Sequence, residues 1–270
     1  MTIEASYKNY SGSAAESYER YFVPTIPAPL AADLLGLAEL DVADRIVDIA
    51  CGTGIVARLA AAQLGAGAQI TGVDFAPDML EHAAALATAS GTPIDWKEGN
   101  AEKLPFDDDS FDVALSQLGL TFVDDKAAAV SEMRRVLVPG GRLTLNVAGA
   151  IQPLNVLFGE ALATHINPDL AGFTNVVFSM HDPAQLEGLL SDAGFSEISV
   201  RVIDKTFRLP APADFLWQYI NATPLGAFVS QAPPEAHEAL ERDAVKKWQP
   251  FVDGDGMVYD QPMVWATAVA

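Results

Sequence analysis

The stretch Arg45–Ala60, RIVDIACGTGIVARLA, limits what this chain can fold into more than any other. A short apolar run from Ile46 to Ala50 reads as a buried strand. Cys51-Gly52-Thr53-Gly54 makes a tight turn, and Val56, Leu59, Ala60 and Leu64 then recur at the period of a helix. Strand, glycine turn and helix form a corner of the nucleotide-binding kind. Gly52 and Gly54 let the backbone bend and let a ligand approach with no Cβ in the way. A helix starting at Gly54 offers its unpaired N–H groups to that ligand, which suits a carboxylate. An ordinary strand–turn–helix without a ligand is the alternative.

The register is not the dinucleotide fingerprint G-x-G-x-x-G, whose third glycine packs helix on strand beside a pyrophosphate. Here the order is Ala50-x-Gly52-x-Gly54, with Val56 and Ala57 beyond it. Asp48 adds a negative charge ahead of the turn, so a cationic or zwitterionic ligand fits better. The next strand, Gln69–Asp74, ends in a carboxylate about twenty residues past the turn, a position from which it accepts hydrogen bonds from adenosine ribose hydroxyls. Phe75 follows and is placed to lie against an adenine, with Met79 in the helix behind it. A helix-capping role is the alternative for Asp74.

Several strings resemble one family in chain order. DIACGTG resembles motif I of the class I S-adenosylmethionine-dependent methyltransferases, although that family more often has Gly where Ala50 stands. GVDFAPDMLEHA resembles the motif after it. GNAEKLPFDDDSFDVALS, the most specific string, resembles motif II of the menaquinone/ubiquinone-type, or type 11, members. SQLGLTF matches motif III, and RRVLVPGGRLTLNVAG resembles the following helix and strand. The resemblance implies S-adenosylmethionine as cofactor, with S-adenosylhomocysteine as product. It places Asp48, Ala50, Cys51, Gly52 and Gly54 at the methionine end and Asp74 at the ribose. Asn100, Ala101 and Glu102 fall at the adenine; the family commonly has Asp at position 100. Ser116 and Gln117 face the methionine part, with Leu120 and Phe122 toward the methyl group.

The implied fold is α/β: a doubly wound, Rossmann-like, seven-stranded sheet with an antiparallel last strand, expected at 263–269. An N-terminal helical lid precedes it and an insertion follows the fifth strand. One domain covers 1–270, with a lid arm at 1–29, a cofactor-binding core at 30–149, and cap segments at 150–182 and 208–250. The arm holds Tyr7, Tyr10, Tyr18, Tyr21 and Phe22, with one helix expected over 13–22 and Pro24, Pro27 and Pro29 breaking it. Tyr18 or Tyr21 is placed to touch the cofactor; simple packing of the arm on the core is the alternative.

Of the four histidines, His181 is the better candidate base, because it precedes the substrate-side helix; a helix-entry role beside Asp182 is the alternative. No H-E-x-x-H, C-x-x-C or G-x-S-x-G occurs, so spacing suggests no metal site and no usual hydrolase nucleophile. Thirty-six acidic residues against 16 basic leave a net charge of −20, which repels nucleic acid and anionic membranes. The single cysteine excludes an internal disulfide, and the polar N-terminus lacks the apolar segment of a signal peptide. A cytoplasmic enzyme acting on a small, apolar or aromatic acceptor at O, N or C is the expectation; the sequence leaves the oligomeric state open, a homodimer among the options. A nicotinamide oxidoreductase on a related sheet and a non-catalytic binding protein are the rival readings.

Overall fold

The computed structural model describes residues 14–91 and 93–270. Tyr7 and Tyr10 of the arm lie outside the described residues. Among the described residues eight strands form one sheet: β1 (Arg45–Ile49), β2 (Gln69–Asp74), β3 (Asp95–Glu98), β4 (Phe111–Gln117), β5 (Leu137–Ala148), β6 (Ser196–Leu209), β7 (Val252–Asp253) and β8 (Gly256–Val269). The order is β3-β2-β1-β4-β5-β8-β6, with the two-residue β7 paired to β8. β1 to β5 are parallel to one another, whereas β8 runs antiparallel to both β5 and β6. The seven-stranded path with an antiparallel last strand is therefore present. That last strand starts earlier than the expected 263, because Gly254, at φ 65°, turns β7 back onto β8.

The helices are α1 (Ala14–Ser17), α2 (Pro27–Ala38), α3 (Ile55–Leu64), α4 (Pro77–Ser90), α5 (Lys126–Arg135), α6 (Pro153–His165), α7 (Phe173–Val177), α8 (Pro183–Asp192), α9 (Pro212–Asn221), α10 (Leu225–Val229) and α11 (Pro234–Lys247). The arm is not one α-helix. After α1 it widens into a π turn over Tyr18–Phe22, where Val23 N–H donates to the Tyr18 carbonyl at 3.0 Å. Pro27 does not break a helix but opens α2, where its missing N–H costs nothing.

Two apolar layers sandwich the sheet. On one face α2, α3, α6, α9, α10 and α11 bury Leu30, Leu34, Phe158, Leu216, Leu240 and Trp248 against Ile46, Leu115, Met263 and Trp265. On the other, α5 and α8 bury Met133, Leu186 and Leu190 against Val47, Ile49, Leu145 and Val264. The strands alternate accordingly: Ile46 faces one layer and Val47 the other. Segments 150–182 and 208–250 thus contribute a packed aromatic layer, in which Phe158 meets Tyr219 edge-on at 5.3 Å and lies 5.7 Å from Trp248.

Candidate functional site

The strand order reverses between β1 and β4, and a doubly wound sheet binds ligands outside the carboxyl ends of its strands at such a point. A cavity of about 270 Å³ lies there. Its walls come from the ends of β1 (Ile49, Ala50, Gly52), β2 (Val73, Asp74, Phe75), β3 (Gly99, Asn100) and β4 (Gln117, Leu118). Ala76 just before α4, Met79 within it, the Ala101-Glu102 turn, Gly119, Phe122, Val123, Asp124 and Tyr18 of the arm also line it.

Asp74 is buried, and both its oxygens are held by backbone N–H groups. Gly52 N–H donates to Oδ2 at 2.7 Å and Ala76 N–H to Oδ1 at 2.9 Å. Burial raises its pKa, and those N–H groups together with that of Phe75 oppose the rise. The carboxylate therefore fixes the glycine turn while lining the cavity. Gly52 has φ 55°, and the place where its Cβ would stand is open space, so a ligand can come up to its backbone.

Gly54 has a different task. At φ 79° it caps α3, and a Cβ there would overlap the Trp96 indole, which also fills the space beside Gly72. Gly54 therefore seats helix on sheet and does not line the cavity. Ala50 adopts φ 58°, a conformation that costs a residue with a side chain about 1–2 kcal/mol. Its methyl occupies the spot that a Cβ on Gly119 would need. The alanine is accommodated because the facing residue is a glycine.

Asp48 is buried beneath the turn. Its Oδ2 accepts from Ala57 N–H at 3.1 Å, capping the first turn of α3 from inside the sheet. Burial pushes its carboxyl up to about 8; the Ala57 bond opposes this and the nearby Asp74 charge adds to it. Cys51 is buried too, and burial, with Asp48 and Asp74, raises its thiol well above the usual range. Ser116 is buried and donates from Oγ to the Ile49 carbonyl at 3.0 Å, stitching β4 to β1. Tyr21 lies under the Arg20 guanidinium, 5.1 Å from its ring centre. Asp48, Cys51, Gly54, Ser116 and Tyr21 all stand outside the cavity lining, whereas Ala50, Gly52, Asp74, Phe75, Met79, Asn100, Ala101, Glu102 and Gln117 belong to it. His181 is exposed at the entry to α8, with Nδ1 donating to the Phe178 carbonyl at 2.9 Å, away from the lining.

Besides Asp74, lining groups already partly committed include Glu102, whose Oε1 accepts from the N–H groups of Asp124 and Asp125 at 3.1 and 2.9 Å. Asn100 Oδ1 accepts from Glu102 N–H at 2.9 Å, which leaves its amide donors for a ligand. Gln117 donates from Nε2 to the Pro27 carbonyl at 2.9 Å, and its buried Oε1 has no partner among the described residues. Sequence reasoning placed Leu118 and Gly119 at this sheet edge without a contact, and it assigned none to Ile49, Val73, Ala76, Gly99, Val123 or Asp124, which also line the cavity. It also missed Glu19, which reaches the glycine turn from the arm. Among the described residues no cluster of potential metal ligands occurs, and no single helix is long and apolar enough to cross a membrane.

Fold and cavity together define a doubly wound sheet with a crevice at its switch point. A family profile described as a methyltransferase domain matches residues 47–145. A demethylmenaquinone methyltransferase of Staphylococcus epidermidis is 34% identical over 170 residues, 58% of this chain and 70% of that protein. An uncharacterized protein of Mycobacterium bovis is 39% identical over 120 residues, 44% of this chain and 43% of that protein. The chain thus spans less than half the length of that mycobacterial relative. The phosphoethanolamine N-methyltransferase 2 of Haemonchus contortus, solved with S-adenosyl-L-methionine, superimposes with a TM-score of 0.63 at 20% identity, covering 96% of this chain and 57% of that one. The chain belongs to the S-adenosylmethionine-dependent methyltransferases, and S-adenosylmethionine is its cofactor. The residues present fit that molecule: Gly52 leaves a backbone cradle open, Asp74 brings a carboxylate to the wall, and the orphaned Gln117 Oε1 offers a buried acceptor to an ammonium.

Proposed function

We propose that this chain transfers a methyl group from S-adenosylmethionine to a small acceptor, apolar or aromatic, at oxygen, nitrogen or carbon. The observation that carries the reading is the buried Asp74 carboxylate at the cavity wall, bonded to the open-backed Gly52. The cofactor supplies an electrophilic methyl group when bound. The protein's part is position and dryness. In this reading Asp74 takes the ribose hydroxyls, Asn100 and Ala101 meet the adenine, and Gly52 and Gln117 hold the methionine end. Phe75, 41% exposed, is covered by the adenine ring. Asp48 and Ser116 act from behind the wall by fixing α3 and β4.

The arm and the segments 150–182 and 208–250 form the cover. Its support is that Tyr18 lines the cavity, Phe22 lies edge-on to Tyr219 at 5.8 Å, and α7 packs beside the Leu120–Phe122 turn. The aromatic layer supports an apolar acceptor, as does a relative named for a quinone substrate. The acidic balance favours a small molecule over a nucleic acid. The test is calorimetry with S-adenosylhomocysteine, followed by transfer of a labelled methyl group to a panel of quinols, phenols and amines. Heat of binding together with label on any panel member supports the reading. Binding of NADH with no binding of S-adenosylhomocysteine sinks it.

A further inference from the structure

Glu19 belongs to the arm, yet its carboxylate is spent on the glycine turn. Its Oε2 accepts from Thr53 Oγ1 at 2.6 Å, and its Oε1 accepts from Arg58 Nη2 at 2.6 Å. Thr53 lies in the turn between Gly52 and Gly54 and is buried. Arg58 stands one turn into α3. The Arg58 and Glu19 side chains are only 19% and 17% exposed, so water screens this pair less than a surface one. Charge-assisted bonds of this length are the strong ones.

The residue before Glu19 is Tyr18, an arm residue that lines the cavity wall. Tyr18 packs on Ala76, which caps α4, and on Met79 within it, both lining the same cavity beside Asp74. Its hydroxyl is driven to a higher pKa by burial and by the charges of Glu19 and Asp74, so it stays protonated. The π turn over Tyr18–Phe22 has a wider backbone than an α-helix, an irregularity that re-aims side chains and recurs at functional sites. Two neighbouring arm residues thus face two parts of one site. Tyr18 meets the cavity, and Glu19 grips the turn that forms its floor.

We propose that Glu19 is a positioning residue for the cofactor: through Thr53 and Arg58 it fastens the arm to the glycine turn and so holds Tyr18 at the cavity wall. The inference rests on the methyltransferase reading. An arm that merely packs on the core has no need of a carboxylate aimed at the turn; the aromatic contact of Phe22 with Tyr219 would suffice.

The test uses the full chain and S-adenosylhomocysteine as the probe, titrated by calorimetry. Glu19→Gln and Arg58→Met should each weaken binding about tenfold, the factor set by roughly one strong hydrogen bond. The double variant should be no weaker than the worse single, because both changes break one link. In a Tyr18→Ala background, which itself weakens binding, Glu19→Gln should add no further loss. A contact that only stabilises the fold would not show that dependence on Tyr18. Thermal melts establish that each variant is folded; where Glu19→Gln is not, Thr53→Val breaks the same link from the other side. Unchanged affinity in the single variants, or full additivity with Tyr18→Ala, overturns the inference while leaving the cofactor reading intact. Failure of the unaltered chain to bind the probe removes the methyltransferase reading and this inference with it.

Discussion

Two buried carboxylates serve the glycine turn, one at the cavity wall and one beneath it, and their surroundings give them different work. Asp74 accepts from two backbone N–H groups and lines the cavity; Asp48 accepts from one and faces the interior. Asp74→Asn keeps the shape but removes the charge, and it sets a donor where Gly52 or Ala76 also donates. S-adenosylhomocysteine affinity should fall at least about tenfold, since bonds to a charged group contribute about 1.5–3 kcal/mol each. An unchanged dissociation constant by calorimetry would confine Asp74 to a structural role. For Asp48 the consequence is pH-dependent stability. Its carboxyl titrates near 8 when folded against a usual 3.8, so the folded chain holds the proton more tightly. That contribution is complete below about pH 4 and is lost as pH rises through about 8. Asp48→Asn stays neutral and still accepts from Ala57. Urea midpoints of the two proteins should therefore diverge from pH 5 to pH 8, with the variant the more stable at pH 8. Parallel curves would show that Asp48 ionises normally.

At the scale of elements, the strand–turn–helix corner was legible because its information is local: alternation, two glycines, then a helical period, all within Arg45–Leu64. The role of each glycine was not local. Both read as openings for a ligand, yet only Gly52 is open; Gly54 meets Trp96, which arrives from β3 much later in the chain. Gly54→Ala should cost at least about 2 kcal/mol in urea unfolding, from the left-handed φ and from overlap with the indole. Adding Trp96→Leu should recover the overlap part and leave the backbone part. If it recovers nothing, the indole is not the obstacle. The arm is likewise an element whose role depends on distant partners, Thr53, Arg58 and Tyr219. Removing residues 1–22 should leave a folded chain that binds S-adenosylhomocysteine more weakly and has lost most of its methyl transfer. Full turnover by the shortened chain would make the arm simple packing.

For the molecule as a whole, fold class and cofactor were readable because several strings agreed in order across 45–148. The packing of 150–182 and 208–250 was less so, since their helices find partners far along the chain, as α6 does on α11. Charge acts at this scale too. An excess of 20 acidic residues repels itself, and salt screens that repulsion. Melting temperature should rise as sodium chloride is raised from low to physiological strength, and a fall would mean that the ion pairs Arg45–Asp112, Arg58–Glu19 and Arg142–Asp44 outweigh the excess. The sheet order has a last consequence, in time. β8 is the neighbour that both β5 and β6 wait for, yet residues 210–255 must be synthesised before it begins. On the ribosome, two strand edges therefore stand bare while the aromatic layer of 208–250 is already emerging, which is the situation in which a nascent chain pairs with the wrong strand. A chaperone that holds β6 until β8 is made would raise the yield of this protein without touching its final stability.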